Sequence, residues 1–266
     1  DKHNMHGYHV QINAKNRIER IACENTTLQR LAKLHRLDCI HWFGNVQAPF
    51  SRVPSVVTVH DLIVYNDPGS VPLVKRLYLR SMFRNTVHHC RVLLPISQAT
   101  ARDLEVRLGA DREKMIITPF PLGEEFKRMP SSCIGEFRAK HELPERFWLY
   151  VAHTYKHKNH CRLLEAYSNL KIAGLKPWPL VLRGDPKDND AQVMNTIQKL
   201  KLKDDVIRLP RLDYFELPLL YSCASALVFP SLHEGCGIPI LEAMACGCPV
   251  LVSYLPPTRE FAGQAA

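Results

Sequence analysis

The chain has 266 residues, about twice the length of an average domain, so we expect two domains that each bury a core. With 46% hydrophobic and 23% charged residues, its composition excludes a collagen-like or largely disordered protein. No apolar run is long enough for a membrane-spanning helix, and the start lacks the apolar core of a signal peptide. We therefore expect a cytoplasmic protein whose nine cysteines, an odd number without a CxxC pair, are reduced thiols.

Positive charge is concentrated in the first part of the chain. The formal net charge is +9, and residues 1–100 alone hold 13 Lys and Arg against 6 Asp and Glu. This excess fits a negatively charged partner, namely anionic lipid headgroups, a nucleic acid or a phosphorylated substrate. The alternative interpretation is a basic face that is only solvated.

Short apolar runs recur along the chain and are separated by helical patterns. Most of the runs are apolar at nearly every position, which is typical of parallel-sheet strands that are buried on both faces. The predicted strands are residues 39–43, 55–59, 92–95, 115–118, 147–151, 180–183, 206–209, 226–229 and 249–252. Between them, Ser97 is expected to cap a helix that ends at Gly109, Asn159 to cap another, and Pro239 to lie in the first turn of a third.

This alternation in both halves predicts an α/β protein with two open parallel sheets, whose ligands bind beyond the carboxyl ends of the strands. Residues 121–145 are rich in Gly, Pro and charge without a clear period, and we interpret them as an interdomain connection. The predicted domains are therefore residues 1–120 and 146–266. The chain begins without Met and ends soon after its last predicted strand, so we expect both domains to be incomplete.

The most informative stretch is FPSLHEGCGIPILEAMACGCPVLVS, residues 229–253, in which a strand is followed by a Gly-rich loop and a helix. The first amides of that helix, near Ile238, lack intrahelical partners, and the helix dipole favours a phosphate or diphosphate there. The two glycines allow the backbone to approach a ligand closely. Because a carboxylate can accept hydrogen bonds from two sugar hydroxyls, Glu234 and Glu242 are expected to bind diols on either side of a diphosphate.

The pattern EGCGIPILEA, residues 234–243, resembles the signature of glycosyltransferase family 4. Other stretches are similar to elements of the same family, and they are VTVHDL (57–62), LPISQATARDL (94–104), VAHTYKHKNHCRLLEAY (151–167), LVLRGD (180–185) and LPLLYSCASALVFPS (217–231). The resemblance implies a GT-B fold, in which two Rossmann-like domains face each other across a cleft, the first on the acceptor side and the second binding the donor. It also implies a retaining, metal-independent hexosyltransferase without a cofactor.

The resemblance assigns roles to individual residues. It implies that Lys158 binds the donor diphosphate, that His60 contacts the transferred sugar at the reaction centre, and that Glu234 binds hydroxyls of that sugar. Glu242 is expected to bind the ribose. Backbone amides near the helix start supply the remaining donor contacts, at Gly235, Cys236, Gly237 and Ile238.

The sequence departs from the family at the second diphosphate cation. Many members place an Arg near the start of the donor domain, where this chain has residues 152–154, AHT. Arg183 and Lys156 are the candidates to replace it, and the alternative is that both are surface residues. Cys236 stands where an aromatic residue is common, but only backbone groups are needed there.

Several histidines could bind a metal or a sugar, but the sequence supports these roles less well than those above. The spacing of His153, His157 and His160, with Cys161 adjacent, could bind zinc on one helix face, but these residues are expected to straddle a strand end, a turn and a helix start. We therefore predict no metal site. His233 is expected either to touch the sugar or to cap the loop, with the second interpretation favoured.

The leading hypothesis is transfer of a hexose from a GDP- or UDP-linked donor to a glycan or lipid-linked acceptor in polysaccharide biosynthesis. Mannose is the preferred candidate for the hexose. The alternatives are a non-catalytic sugar-nucleotide-binding protein and a nucleic-acid-binding protein, the second weakened by the absence of a recognisable module. A further hypothesis is peripheral docking on the anionic inner face of a membrane. It rests on a basic series along one helix, Lys75, Arg76, Arg80 and Arg84.

Overall fold

The computed structural model describes residues 7–13 and 16–264. They form two parallel β-sheets with their helices, one after the other along the chain. The ends of the two predicted domains, residues 1–6 and 265–266, lie outside the described residues. The predicted α/β class with two open parallel sheets is confirmed, because every strand pair is parallel and helices lie between most successive strands.

The first sheet has three strands in the order β1-β2-β3. Its strands are β1 (Ile40–Trp42), β2 (Ser55–Val59) and β3 (Val92–Pro95). Its helices are α1 (Arg17–Asn25), α2 (Thr27–Leu34), α3 (Ile63–Asn66), α4 (Leu73–His89) and α5 (Gln98–Leu108). Val57 and Leu93 from the strands pack with Phe83 and Leu104 from the helices in one buried core.

The second sheet has five strands in the order β6-β5-β4-β7-β8. Its strands are β4 (Trp148–Val151), β5 (Leu180–Arg183), β6 (Val206–Leu209), β7 (Ala226–Phe229) and β8 (Val250–Val252). Its helices are α6 (Ser131–Lys140), α7 (His160–Ile172), α8 (Asp190–Lys199), α9 (Leu217–Cys223), α10 (Ile238–Ala245) and α11 (Pro256–Ala262). A second core surrounds Leu149, Tyr150, Leu180 and Leu227, whose side chains are fully buried.

The prediction of a strand at residues 115–118 is wrong. Met115 forms an isolated bridge with Leu93, and the segment runs beside β3 without becoming a strand. The Ile116 and Thr118 amides donate to the carbonyl oxygens of Leu93 and Pro95 in β3. Because Pro95 has no amide hydrogen to donate back to this segment, a regular ladder does not form. The other eight predicted strands are confirmed, with ends that shift by at most one residue.

The sequence suggested that residues 121–145 form an irregular connection, but the structure shows that they include a helix. Helix α6 occupies residues 131–140 and packs against α9, and its Phe137 is buried in the second core. Its pattern escaped notice because Ile134 and Phe137 are the only large apolar residues on one face of a helix that also contains Gly135. The boundaries between the domains stay a prediction.

The helix ends follow local signals, with one exception. Ser97 accepts a hydrogen bond from the Thr100 amide at the start of α5, and Gly109 ends that helix with φ 64°. Pro239 lies in the first turn of α10. Asn159 precedes α7 but does not cap it, because its φ is 62° and its side chain donates to the Pro230 carbonyl oxygen.

Of the helices in the described residues, none combines the length and the apolar character needed to cross a bilayer. The nine cysteines are free thiols. The two halves contact each other through α5 of the first and α11 of the second.

Candidate functional site

The site is built where the strand order of the second sheet changes direction. From β4 the chain adds β5 and β6 on one side, then returns to place β7 and β8 on the other. Parallel sheets leave a crevice at such a switch point, outside the carboxyl ends of the two strands. Lys158 follows β4 and Glu234 follows β7, so this topology brings together two residues that are 76 positions apart.

The loop between β7 and α10 carries the EGCG sequence. Gly237 stands directly before α10 with φ 83°, and a Cβ there would lie 2.9 Å from Ile240 Cδ1, so the position favours glycine. The amides that open α10 have no intrahelical partners and can bind an anion. Burial raises the pKa of Cys236 to about 12, which keeps its thiol neutral, as expected if only backbone groups serve there.

Lys158 and Glu234 form an ion pair with 2.6 Å between Nζ and Oε1. A 3₁₀ turn over residues 156–158 and the left-handed conformation of Asn159 direct this lysine towards the loop. The Tyr150 hydroxyl holds this turn in place by donating a hydrogen bond to the Lys158 carbonyl oxygen at 2.5 Å. The side chains of Lys158 and Glu234 are only 19% and 9% exposed, so solvent screens their attraction weakly.

Glu242 is buried, and it is one turn into α10. Its Oε2 accepts a hydrogen bond of 2.6 Å from the Tyr221 hydroxyl on α9. Burial raises the pKa of Glu242, and the hydrogen bond from Tyr221 partly offsets that effect. Nearby, the Tyr214 hydroxyl forms a hydrogen bond with Glu125. This hydrogen bond is the main reason that the pKa of Tyr214 is raised to about 12.

His60 comes directly after β2, at the carboxyl edge of the first sheet. Its Nε2 donates to the Phe43 carbonyl oxygen at 2.6 Å, its amide donates to Asn45 Oδ1, and Phe120 stacks on its ring. Because Nε2 carries the proton, the neutral ring offers Nδ1 as an acceptor to a ligand.

The first half meets the EGCG loop at Gly235. A Cβ on Gly235 would lie 1.8 Å from the His60 carbonyl oxygen, so no larger residue fits while the two halves are in contact. On the other side, the Ser97 hydroxyl donates to the Gly235 carbonyl oxygen at 2.8 Å. His60 and the loop of the second half therefore line one cleft.

The two candidates for a second cation have surroundings of their own. Arg183 is mostly buried, donates to the Leu212 carbonyl oxygen at 3.3 Å, and lies 3.8 Å from a carboxylate oxygen of Asp185. Lys156 is exposed and lines a separate cavity of about 690 Å³ beside α4. A phosphate role for either residue stays a prediction.

The histidines between β4 and α7 point in different directions. His153 Nδ1 accepts from the Asp185 amide at 2.8 Å, His157 stacks on Tyr155, and His160 is buried against Tyr150. Burial lowers the pKa of His160 to about 4. Within the described ranges, no cluster of three or more His, Cys, Asp or Glu residues could hold a metal ion.

A cavity of about 520 Å³ opens beside Glu234 between the two halves. Asp61 and Asp103 from the first half and His233 from the second line it. His233 Nε2 is buried without a hydrogen-bond partner among the described residues, and burial lowers the pKa of this histidine. Contact between His233 and a sugar stays a prediction.

Comparison with known proteins identifies the family. The family model described as "Glycosyl transferases group 1" matches residues 134–266, and that of "Glycosyltransferase Family 4" matches residues 5–121. The chain belongs to the group 1, family 4 glycosyltransferases. The resemblance drawn from the sequence motifs is thereby confirmed.

Curated relatives of this glycosyltransferase chain include two O-antigen enzymes. The O-antigen chain mannosyltransferase B of Escherichia coli is 25% identical over 229 residues, which are 86% of this chain and 60% of the relative. The O-antigen chain mannosyltransferase RfbU of Salmonella typhimurium is 29% identical over 204 residues, or 77% of this chain and 53% of the relative. The chain thus spans between half and two thirds of the length of these relatives.

Solved structures confirm the GT-B fold. Sucrose-phosphate synthase from Thermosynechococcus elongatus superposes with a TM-score of 0.76 at 18% identity, over 94% of this chain and 64% of that one. Anabaena HepE in complex with UDP-glucose gives a TM-score of 0.75 at 19% identity, over 91% of this chain and 65% of that one.

Sequence reasoning missed several residues of the site. Tyr221, the partner of Glu242, lies in a stretch that resembles the family, but nothing in that stretch signals this contact. Phe43 and Asn45, which orient His60, belong to no recognised motif. Ser97 was identified only as a helix cap, although its hydroxyl also reaches Gly235. These contacts join residues far apart in sequence, so no local spacing signals them.

Proposed function

We propose that this protein transfers a hexose from a nucleotide sugar to a glycan or lipid-linked acceptor, with mannose as the preferred candidate for the hexose. One observation carries the proposal: Lys158, the start of α10, Glu234 and His60 converge on one cleft. The mannosyltransferase names of the O-antigen relatives support mannose as the sugar and a growing polysaccharide as the acceptor.

In this proposal Lys158 and the free amides of α10 bind the donor diphosphate. Negative charge grows on that leaving group as the glycosidic bond breaks, and fixed positive groups in a partly dry cleft stabilise it strongly. The positive field of one lysine and one helix start supports a mechanism that needs neither a divalent ion nor a cofactor. Lys158 is held for this task by its contacts with Glu234 and Tyr150.

The transferred sugar is proposed to lie between Glu234 and His60. The Glu234 carboxylate accepts hydrogen bonds from sugar hydroxyls, and His60 Nδ1 accepts another from the opposite wall. Gly235 allows the sugar-binding loop to approach the first half without a side chain between them.

The nucleoside is proposed to lie over Glu242. Tyr221 holds this carboxylate in place for the two ribose hydroxyls. The base would then lie near residues 209–212, where Arg183 binds the Leu212 carbonyl oxygen. We propose GDP as the preferred nucleotide and UDP as the alternative.

Retention is also part of the proposal. The acceptor hydroxyl would attack from the face on which the diphosphate departs, and a donor phosphate oxygen would take its proton. The engagement of Glu234 with Lys158 supports this route, because a carboxylate that is ion-paired is a weaker nucleophile for a covalent intermediate.

Membrane docking is proposed through α4, but not through the basic row that the sequence suggested. Arg76 donates to the Pro68 carbonyl oxygen and Arg80 to that of Val64, so both arginines serve the fold. On the same helix, Leu77 is 59% exposed. The exposed residues of the first turns are apolar and sit within the basic first half, namely Leu73, Val74, Leu77 and Tyr78.

Co-sedimentation with vesicles tests this docking. Vesicles of phosphatidylcholine with phosphatidylserine should bind the chain, and binding should weaken in Leu77→Ser and at high salt. Binding that depends on neither anionic lipid nor salt would contradict the proposal.

Calorimetric titration with GDP, UDP and ADP in the presence of EDTA tests the proposed function, followed by assays of donor hydrolysis and mannosyl transfer. We expect GDP to bind with EDTA present. Binding lost in EDTA and restored by Mg²⁺ would contradict metal independence. Tight binding of GDP-mannose without turnover would favour a sugar-nucleotide-binding protein, and oligonucleotide binding that GDP does not displace would favour a nucleic-acid-binding protein.

A further inference from the structure

The start of α5 is tied to the second half at three consecutive residues. The Gln98 and Ala99 amides donate to the two carboxylate oxygens of Glu260, at 2.7 Å and 3.0 Å. The preceding residue, Ser97, donates to the Gly235 carbonyl oxygen at 2.8 Å. Glu260 belongs to α11, so two separate segments of the second half meet one helix end of the first.

Each contact satisfies a group that would otherwise lack a partner. The first amides of a helix have no intrahelical acceptor, and a carboxylate is favoured at the positive end of the helix dipole. Glu260 supplies that carboxylate from across the interface and uses both oxygens. Ser97 is fully buried, so its hydrogen bond forms in a low dielectric and its loss would leave the Gly235 carbonyl without this partner.

These contacts act on the loop that carries Glu234. Gly235 is the next residue, and its backbone is confined between the Ser97 hydroxyl on one side and the His60 carbonyl oxygen on the other. The separation between Glu234 and His60 therefore depends on where the start of α5 lies. Glu260 fixes that start.

We propose that Ser97 and Glu260 are positioning residues, which hold the loop of residues 234–237 against His60 so that the donor sugar is presented for transfer. This role rests on the proposed function. Neither residue lies among the groups proposed to bind donor. The proposed nucleotide contacts, which are Lys158, Glu242 and the first amides of α10, all belong to the second half. Loss of either positioning residue should therefore impair transfer and leave nucleotide affinity almost intact.

Hydrogen exchange of the ligand-free protein tests the contact itself. In Glu260→Ala we expect the Gln98 and Ala99 amides to exchange at least tenfold faster, and the loop of residues 232–237 at least threefold faster. Glu105→Ala, which removes the same charge from the exposed side of α5, is the matched control and should change neither. Faster exchange confined to Gln98 and Ala99 would overturn the proposal, because Glu260 would then only cap a helix.

Kinetics of Ser97 variants test the positioning role. Ser97→Ala should lower kcat for hydrolysis of GDP-mannose at least tenfold, since small misplacement of reacting groups is costly, while KM and the Kd of GDP change less than twofold. Ser97→Thr keeps both the cap and the donor, and it should restore kcat to within threefold. Equal losses of kcat and GDP affinity in Ser97→Ala, or no rescue by Ser97→Thr, would overturn the role.

The two hypotheses fail in different ways. A wild-type chain that binds none of GDP, UDP or ADP overturns the proposed function and the transfer role with it. The exchange experiment needs no ligand, so it still decides whether Glu260 holds the loop in place.

Discussion

Lys158 and Glu234 contact each other, yet in the proposed function they serve different parts of the donor. Lys158→Ala should weaken binding of both GDP and GDP-mannose, by about 1.5–3 kcal/mol for a charge-assisted hydrogen bond. Glu234→Gln should leave GDP affinity within twofold and weaken GDP-mannose, because its partner is the sugar. Calorimetry on both ligands measures this, with exposed Lys176→Ala as the control for lost charge. Equal losses in both variants would show that the roles are assigned wrongly.

Glu242 gives the site a pH dependence of known sign. Burial raises its pKa, and Tyr221 lowers it by hydrogen bonding to the charged form. As the pH falls through that pKa, Glu242 is protonated and accepts ribose hydroxyls less well, so affinity for GDP-mannose should fall. Tyr221→Phe should raise the pKa of Glu242 further and move this loss to higher pH. Titration of GDP-mannose affinity against pH checks the shift, since this ligand lacks the terminal phosphate of GDP, which titrates itself.

The same carboxyl affects folding stability with the opposite trend. Because the folded protein binds this proton more tightly than the unfolded chain does, the free energy of unfolding should fall as pH rises from the ordinary Glu pKa to the raised one. The Glu242→Gln variant should lack this part of the pH dependence. Urea denaturation at several pH values measures it, and identical profiles for both proteins would contradict the burial of a titrating Glu242.

At the scale of elements, two glycines offer a matched test of backbone conformation. Gly237→Ala puts a Cβ on a residue with φ 83°, within 2.9 Å of Ile240 Cδ1, so unfolding should become easier by about 1 kcal/mol or more. Gly135→Ala lies inside α6 with open space around it and should stabilise the protein by about 0.4–1 kcal/mol. Urea denaturation compares the two, and a stabilising Gly237→Ala would contradict the left-handed conformation before α10.

Helix α4 shows why a spacing rule alone assigns faces poorly. Arg76, Arg80 and Arg84 recur every four residues, which predicted one cationic row. In the structure the guanidinium groups of Arg76 and Arg80 bind the carbonyl oxygens of Pro68 and Val64, in the segment after β2, and Arg80 also lies over the Tyr65 ring. Arginine carries enough hydrogen-bond donors to bind such carbonyl groups. Its positive charge alone therefore does not show that the side chain faces solvent.

At the scale of the whole molecule, the two cores are separate and should respond differently to nucleotide. The first surrounds β1, β2 and β3, and the second surrounds the five strands from β4 to β8. A ligand that binds only the folded state stabilises it by about 2.7 kcal/mol at one hundred times its Kd. GDP should therefore slow hydrogen exchange in β4 and β7 far more than in β2. Equal slowing in both halves would show that the first half also binds the nucleotide.

The sequence by itself determined all eight strands of the two sheets, although it also predicted one at residues 115–118 that does not form, and it determined most caps and the motif that carries the family. Strands buried on both faces must be apolar throughout, and Ser97, Gly109 and Pro239 act within one turn of their own position, so each leaves a local signal. The EGCG loop is likewise a local arrangement of strand, glycine and helix. Helix α6 was missed because its apolar face consists of only two large residues.

Tertiary structure decided the partners. The pairing of Lys158 with Glu234 depends on the strand order around β4, and Tyr221 reaches Glu242 only because α9 packs beside α10. The Gln98 amide and the Glu260 carboxylate meet across the two halves, 162 positions apart. A hydrogen bond needs its two atoms within about 3 Å, and the fold alone sets such distances between residues that are remote in sequence.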